Sequence, residues 1–356
     1  MSEQYPGGFI SKSPPTPNGV TAAGLWTLSQ QAGYKAQGLW PGVNNYIATP
    51  AATPAIGASF EGGYYYGMIW NQVTQSATST AIGVGSKTFT VTNAAPLFYA
   101  GQTVQVRSRA NPLTQRMIGT VTASAGTTLT VNVSSVDGSG TYTDWSVMAQ
   151  YRLITAPKAT GQTDGLAWKS SSTAAPADTI TLSEGRASTL AMVADGDSSV
   201  YPAAWFCYNL NIGGYTDWYL PARDEFELAW RNLKPVTDNN DLSPPVSPRP
   251  VSAYNYGTKG TANDTNTNYG VNFSSSPAGA AYTLTVPGQT SVTAFQSGNS
   301  EAYDFGSGTY WWTSTEFSST EAFRTYYLPT VAGVQFTAGK TTSGGYRVRG
   351  VRRSII

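Results

Sequence analysis

The chain contains no histidine and a single cysteine, Cys207. A Ser-His-Asp or Cys-His triad, a histidine general base and a His-ligated metal centre are therefore closed to it. One thiol makes neither an intrachain disulfide nor a thiolate cluster. The chemistry left is that of carboxylates, lysines and tyrosines. Asp217, Asp224, Glu225 and Glu227 are close enough in sequence to supply the acid pair of a glycoside hydrolase, which needs two carboxyls ~5 to 9 Å apart. The competing reading is favoured: acids in the first turn of a helix complement its dipole and take its exposed amides. Asp238, Asn239, Asn240 and Asp241, and again Asn263, Asp264, Asn266 and Asn268, offer oxygen ligands of the kind calcium takes. A polar loop making side-chain turns accounts for the same residues. Trp218 with Tyr219, and Trp311 with Trp312, could stack on a sugar ring. On a strand, however, neighbouring side chains point to opposite faces, so at least one ring of each pair belongs in a core. Arg347, Arg349, Arg352 and Arg353 are interspersed with Tyr346, Val348 and Val351. That pattern predicts a strand whose arginines pair with acids such as Asp217 or Glu225.

These residues need elements to hold them. The 356-residue chain is long enough for about two domains of ~150 residues. Only 12% of its residues are charged, with 37 Gly and 21 Pro, which suits turn-rich β structure. Its 21 basic and 20 acidic residues leave no basic surplus for nucleic acid. No stretch approaches the ~20 apolar residues of a membrane span, and Met1 to Gly8 lacks the charged and apolar regions of a signal peptide.

Residues 1 to 55 read as an arm too poor in apolar residues to close its own core. Leu25, Trp26, Leu28 and Trp40 are costly to leave in water, so the arm is expected to order by packing on a partner or on another copy of itself, a disordered tail being the alternative. From Thr78 to Val147, runs such as Thr88 to Thr92, Thr103 to Val106, Met117 to Val121 and Thr127 to Val133 predict a small meander or barrel. Three helices are expected between residues 181 and 234: Ser183 to about Ala194, Pro202 to Leu210, and Ala222 to Leu233. Cys207, beside Ala203, Ala204, Trp205 and Phe206, is expected as a small buried hydrophobe. Strand-like pieces close the chain at Tyr310 to Thr313, Ala322 to Leu328, Val334 to Thr337 and Tyr346 to Arg352.

Four dispersed pieces, Ile56 to Tyr65 (IGASFEGGYY), Gly213 to Glu227 (GGYTDWYLPARDEFE), Tyr310 to Glu316 (YWWTSTE) and Tyr346 to Arg353 (YRVRGVRR), resemble a phage and bacterial C-type-lectin-like domain. It is the domain at the end of the Legionella collagen-like adhesin, the DUF1566 family. The resemblance implies an α+β, β-rich, lectin-like head formed by residues 56 to 72 and 151 to 356. An inserted all-β module at 73 to 150 would interrupt it, and an N-terminal attachment arm at 1 to 55 would precede it. The insertion is similar to a small β module of tailed-phage structural proteins, and Gly24 to Pro41 looks like the start of phage tail-associated proteins. The calcium motifs Glu-Pro-Asn and Trp-Asn-Asp are missing, so calcium-dependent sugar binding is not implied. The cysteine pair of formylglycine-generating enzymes is missing too. No cofactor or metal is expected.

The long polar stretch from Asp238 to Gly308 carries Tyr254, Tyr256, Tyr269, Phe273, Tyr282, Phe295 and Tyr303 among Ser, Thr, Asn and Gly. Stiff rings among small polar residues are the composition of antibody paratopes. Tyr254, Tyr256, Tyr269, Phe273 and Trp312 are therefore the expected receptor-binding residues, and Trp26 and Trp40 the expected attachment residues. Taken together, the sequence predicts a non-catalytic bacteriophage virion protein, a tail or fibre adhesin on the virion surface. Its partners would be other virion proteins and a host surface glycan or protein, with a homo-oligomer expected and a trimer favoured. A capsid decoration or tail-assembly protein, and a polysaccharide-degrading tail enzyme, are the alternatives.

Overall fold

A computed structural model describes residues 4–5, 8–9, 53–92, 94, 97–112, 114–240, 272, 274–280, 282–303, 309–328 and 331–356. Trp26, Trp40, Tyr254, Tyr256, Tyr269 and Phe273 lie outside the described residues. The protein is β-rich α+β, with 38% of the described residues in strands and 16% in helices. It divides into two compact units, one built on Gln72–Ala149 and the other on Pro54–Asn71 with Gln150–Ile355.

Strand β1 (Gly63–Ser76) begins in the second unit and ends in the first. The first unit continues with β2 (Gly85–Thr90), β3 (Thr103–Ser108), β4 (Arg116–Ala125), β5 (Thr128–Asp137) and the start of β6 (Trp145–Thr155). The strands run in the order β6, β3, β4, β5, β2, and each is antiparallel to the next. Period-two alternation produces this sheet. In β5, Leu129, Val131 and Val133 point inward while Thr128 and Asn132 face water. The inward set packs with Phe89, Val104, Val106, Met117, Val121 and Val147. Trp145 is fully buried among them, and its indole N–H donates to the carbonyls of Thr78 and Tyr142.

In the second unit, the end of β6 pairs antiparallel with the last strand, β11 (Val351–Ile355), in the register Leu153 to Arg353. β1 also hydrogen-bonds to β6. Gly63 allows that approach, since a Cβ there would lie 2.3 Å from the Thr155 carbonyl oxygen. Between these strands come helices α1 (Gly185–Asp195), α2 (Pro202–Tyr208) and α3 (Arg223–Leu233). A second, five-stranded sheet is made of β7 (Tyr310–Glu316), β8 (Glu321–Leu328), β9 (Val331–Gly339), β10 (Tyr346–Arg349) and the short edge strand Gln162–Asp164, which pairs antiparallel with β10. From that edge its order is β10, β7, β8, β9, with β10 parallel to β7 and the other pairs antiparallel.

β7 separates two cores. Trp311 packs with Tyr66, Ile69, Tyr219, Phe226, Trp230 and Tyr303 on one side. Trp312 packs with Trp168, Tyr201, Leu220, Tyr346 and Val348 on the other, where the thiol of Cys207 is also buried. This corrects the expectation that Trp312 faces a receptor. Its ring is wholly buried, stacked on Tyr346 at 4.3 Å, and its N–H donates to the Leu166 carbonyl. Trp218 and Tyr219 are buried as well, so none of these four rings offers a face to a sugar. The alternation argument places one ring of a pair outward only when the sheet has a wet face, and here both faces are covered.

Candidate functional site

Half of residues 223 to 234 are charged, against 12% of the whole chain. This segment is α3 with the lysine that follows it, and the helix is buried on every side. Phe226, Trp230 and Leu233 fill the core, as their spacing predicts. The charged residues are inside as well: Arg223, Asp224, Glu225, Glu227 and Lys234 are each at most 2% exposed. Glu225 takes the Ala222 backbone N–H, as expected of an acid in a first helical turn, but it and Asp224 lie in the interior. What α3 faces is polypeptide.

Burial of a charge is tolerated only when donors and acceptors replace its water. Asp224 Oδ1 accepts from Arg223 Nε at 3.0 Å and Nη2 at 2.9 Å, and its Oδ2 accepts from the Ser274 hydroxyl at 2.9 Å. The Asn272 side-chain amide donates to the Asp224 carbonyl at 2.9 Å and to Glu227 Oε2 at 2.7 Å. Glu227 Oε1 accepts from the Tyr282 hydroxyl and from Arg231 Nε, and Arg231 Nη1 reaches the Ala280 carbonyl. Burial raises the Glu227 carboxyl above its usual range, against the pull of Arg231 and these hydrogen bonds. At the far end, Lys234 Nζ donates to the Asp238 carbonyl at 2.5 Å, Asn240 Oδ1 at 2.9 Å and the Pro287 carbonyl at 3.1 Å. Burial lowers its affinity for a proton. The Asn240 amide donates in turn to the carbonyls of Thr283 and Pro287.

Asp224, Glu227, Arg231 and Lys234 thus form one stripe at helical spacing, and each grips the stretch between Asp238 and Tyr303. Asn240 and Asn272, the described residues on either side of 241–271, are held at opposite ends of α3. Ten residues of helix at ~1.5 Å each set the two grips about 15 Å apart.

The rest of the stretch is equally committed. Phe295 and Tyr303 are buried and Tyr282 nearly so, which removes three of its aromatics from any contact surface. Tyr303 shares a 2.7 Å hydrogen bond with Thr155, and Arg349 stacks on its ring at 4.7 Å. Arg349 itself binds the Ala156 carbonyl and, through its Nη atoms, the carbonyl and carboxylate of Glu301. Asn240, part of the Asp238 to Asp241 run weighed as a calcium loop, directs its side chain to lysine and carbonyls. Among the described residues, no three acidic or cysteine side chains gather as a metal site.

Glu225 stands apart from this grip. Its carboxyl accepts from the Ala222 N–H at 2.8 Å and the Tyr219 hydroxyl at 3.0 Å. Burial pushes its pKa up to about 8, Arg353 pulling the other way. Gly185 makes room for it, since a Cβ there would sit 2.3 Å from Oε2. Of the terminal arginines, Arg352 binds both Asp217 and Glu61, as the sequence reading anticipated for Asp217. Arg353 pairs with Glu184 rather than Glu225.

The position of acids in a first turn does not by itself reveal the grip. The available signal was local charge density in a charge-poor chain. Comparison with family models, with curated proteins and with solved structures gives no match.

Proposed function

We propose that this chain is a tailed-phage virion protein whose lectin-like head binds a host surface molecule without chemistry, displayed in several copies on the particle. One observation carries the reading. The charged side chains of α3 are engaged in fixing the two sides of 241–271, the stretch that holds Tyr254, Tyr256 and Tyr269. A scaffold rigid at both grips is what a recognition segment needs, because contacts presented from fixed ends lose less entropy on binding. The acids weighed for glycoside hydrolysis are occupied: Asp224 by Arg223 and Ser274, Glu227 by Tyr282, Arg231 and Asn272. A lectin-like arrangement is supported by β1 and β11 meeting on β6, with the helices and the long polar stretch between them. Several copies on one particle would let weak single contacts suffice.

Binding of the purified, fluorescently labelled protein to host cells tests the reading. Changing Tyr254, Tyr256 and Tyr269 together to Ala should abolish attachment while circular dichroism and melting stay as in the parent, and EDTA should change little. Attachment that survives the triple change overturns the proposal.

A further inference from the structure

Glu225 differs from the other buried acids among the described residues. Asp224, Glu227, Glu301 and Glu316 each hydrogen-bond an arginine or lysine side chain. Glu225 has two neutral donors instead, the Ala222 N–H and the Tyr219 hydroxyl. The chain closes tightly on it: a Cβ on Gly185 would lie 2.3 Å from Oε2 and 2.8 Å from the Leu220 carbonyl oxygen, so the Gly185 backbone rests against the carboxyl. A carboxylate in this place has lost its water and gained no counter-charge, so the neutral acid is the form that fits. Burial raises its pKa to about 8 in keeping with that.

The cation that would answer its ionisation is held close by. Arg353, on β11, attracts Glu225 without hydrogen-bonding it, and its Nη1 donates to Glu184 Oε2 at 2.9 Å. Its Nε and Nη2 make no hydrogen bond among the described residues. Glu184 immediately precedes α1, and its carbonyl accepts the Ser188 N–H at 3.0 Å, closing the first turn. The Arg353–Glu184 pair therefore ties the start of α1 to the last strand. Tyr219, whose hydroxyl binds Glu225, pairs through its backbone with Val351 at 2.8 and 2.9 Å, which anchors both groups to the same stretch of β11. The other titratable or charged groups facing the pair are Tyr66 from β1, with Tyr303 beyond it, Tyr151 from β6 and Arg186 from α1. The Tyr151 ring lies 4.6 Å from the Arg353 guanidinium. Burial holds the hydroxyls of Tyr66, Tyr151, Tyr219 and Tyr303 above their ordinary range, so Glu225 ionises before any of them.

We infer that ionisation of Glu225 draws Arg353 away from Glu184 and so releases the start of α1 from β11, a proton-operated exchange of partners. The inference does not depend on the adhesin reading. The neutral acid keeps α1 tied; rising pH favours the exchanged arrangement, and the effect levels off above about 8. Double-mutant cycles read from urea unfolding test the exchange. Arg353→Gln and Glu184→Gln should be coupled about tenfold in the unfolding constant at pH 5 and less than about twofold at pH 9, and Arg353→Gln with Glu225→Gln should show the reverse. A second measurement leaves Arg353 in place, in case its loss unfolds the unit. In the parent chain, amide exchange corrected for its intrinsic pH dependence should show the protection of Ser188 and Thr189 falling between pH 5 and pH 9 by more than that of β7 and β8. In Glu225→Gln it should be the same at both. Coupling of Arg353 to Glu184 that is equal at the two pH values overturns the inference. So does protection of Ser188 and Thr189 that falls no further than that of β7 and β8, or that falls as far in Glu225→Gln as in the parent.

Discussion

The two units are held together by different physics. The unit built on Gln72–Ala149 has a core of Val, Leu, Phe, Met and Trp side chains, and its ion pair Arg116–Asp137 lies at the surface. In the other unit, charged side chains are part of the interior: Arg223 with Asp224, Lys340 with Glu316, and Arg349 with Glu301 all have side chains at most 9% exposed. An apolar core tolerates exchange of one hydrophobe for another of similar volume. A buried ionic network does not tolerate loss of one member, because the partner is left charged and dry. The first unit should therefore respond to volume and the second to charge.

The strongest test of that contrast is Arg349→Ala. It removes three donors from the Glu301 carboxylate and carbonyl and from the Ala156 carbonyl, and should cost roughly 3–5 kcal/mol in urea unfolding of the second unit. A loss below about 1 kcal/mol would show that water replaces the guanidinium and that the network is not dry.

An intermediate effect is expected with pH, and its sign differs between the units. Glu225 titrates near 8 when folded and near 4.5 when unfolded, so its contribution is fully present below about 4.5 and is lost as pH rises through about 8. Asp144, in the first unit, is held below its ordinary range by the Ala110 N–H and the Ser108 hydroxyl. Its contribution is present above about 3.9 and is lost on acidification through the folded value. Amide hydrogen exchange, which reports each unit separately, should show protection near Glu225 weakening between about pH 5 and 8 and levelling off above that, and Glu225→Gln should flatten that response. An unchanged slope in the variant would assign the pH dependence to another group.

The smallest effect belongs to Arg116→Ala. The pair with Asp137 is solvent-exposed on the acid's side, and its loss should cost about 0.2–1 kcal/mol. A larger cost would mean that the first unit also relies on charge.

The contrast explains what could be read in the sequence. Leu129, Val131 and Val133 announce a strand because a one-sided apolar core leaves its period in the chain. The last helix was legible through the spacing of Phe226, Trp230 and Leu233, and the end of the helix before it through the break at Gly213-Gly214. Asp224, Glu227 and Lys234 were not legible as interior residues, since a charge carries no sign of burial until its partners are known. Those partners, Asn272, Tyr282 and Asn240, lie tens of residues away or across a turn. Trp312 was misplaced because alternation assumes a wet face, and the sheet containing β7 has a core on each side.

The pairing of β11 also sets the order in which the protein can be built. In the first unit the strands come one after another, and Thr122 reaches a carbonyl only 8 residues away. In the second, Arg352 closes on Glu61 across 291 residues and Arg353 on Glu184 across 169. Contacts that close short loops form early, whereas long closures wait for the chain and carry a larger entropic cost. At a synthesis rate of ~5–20 residues per second, the residues of the first unit are all made about ten seconds or more before Arg352 exists. During that interval β1 and the first half of the second unit are without their closing strand. The nascent protein is then a finished β module carrying an open half-sheet, which makes the second unit the place where crowding during assembly would be felt.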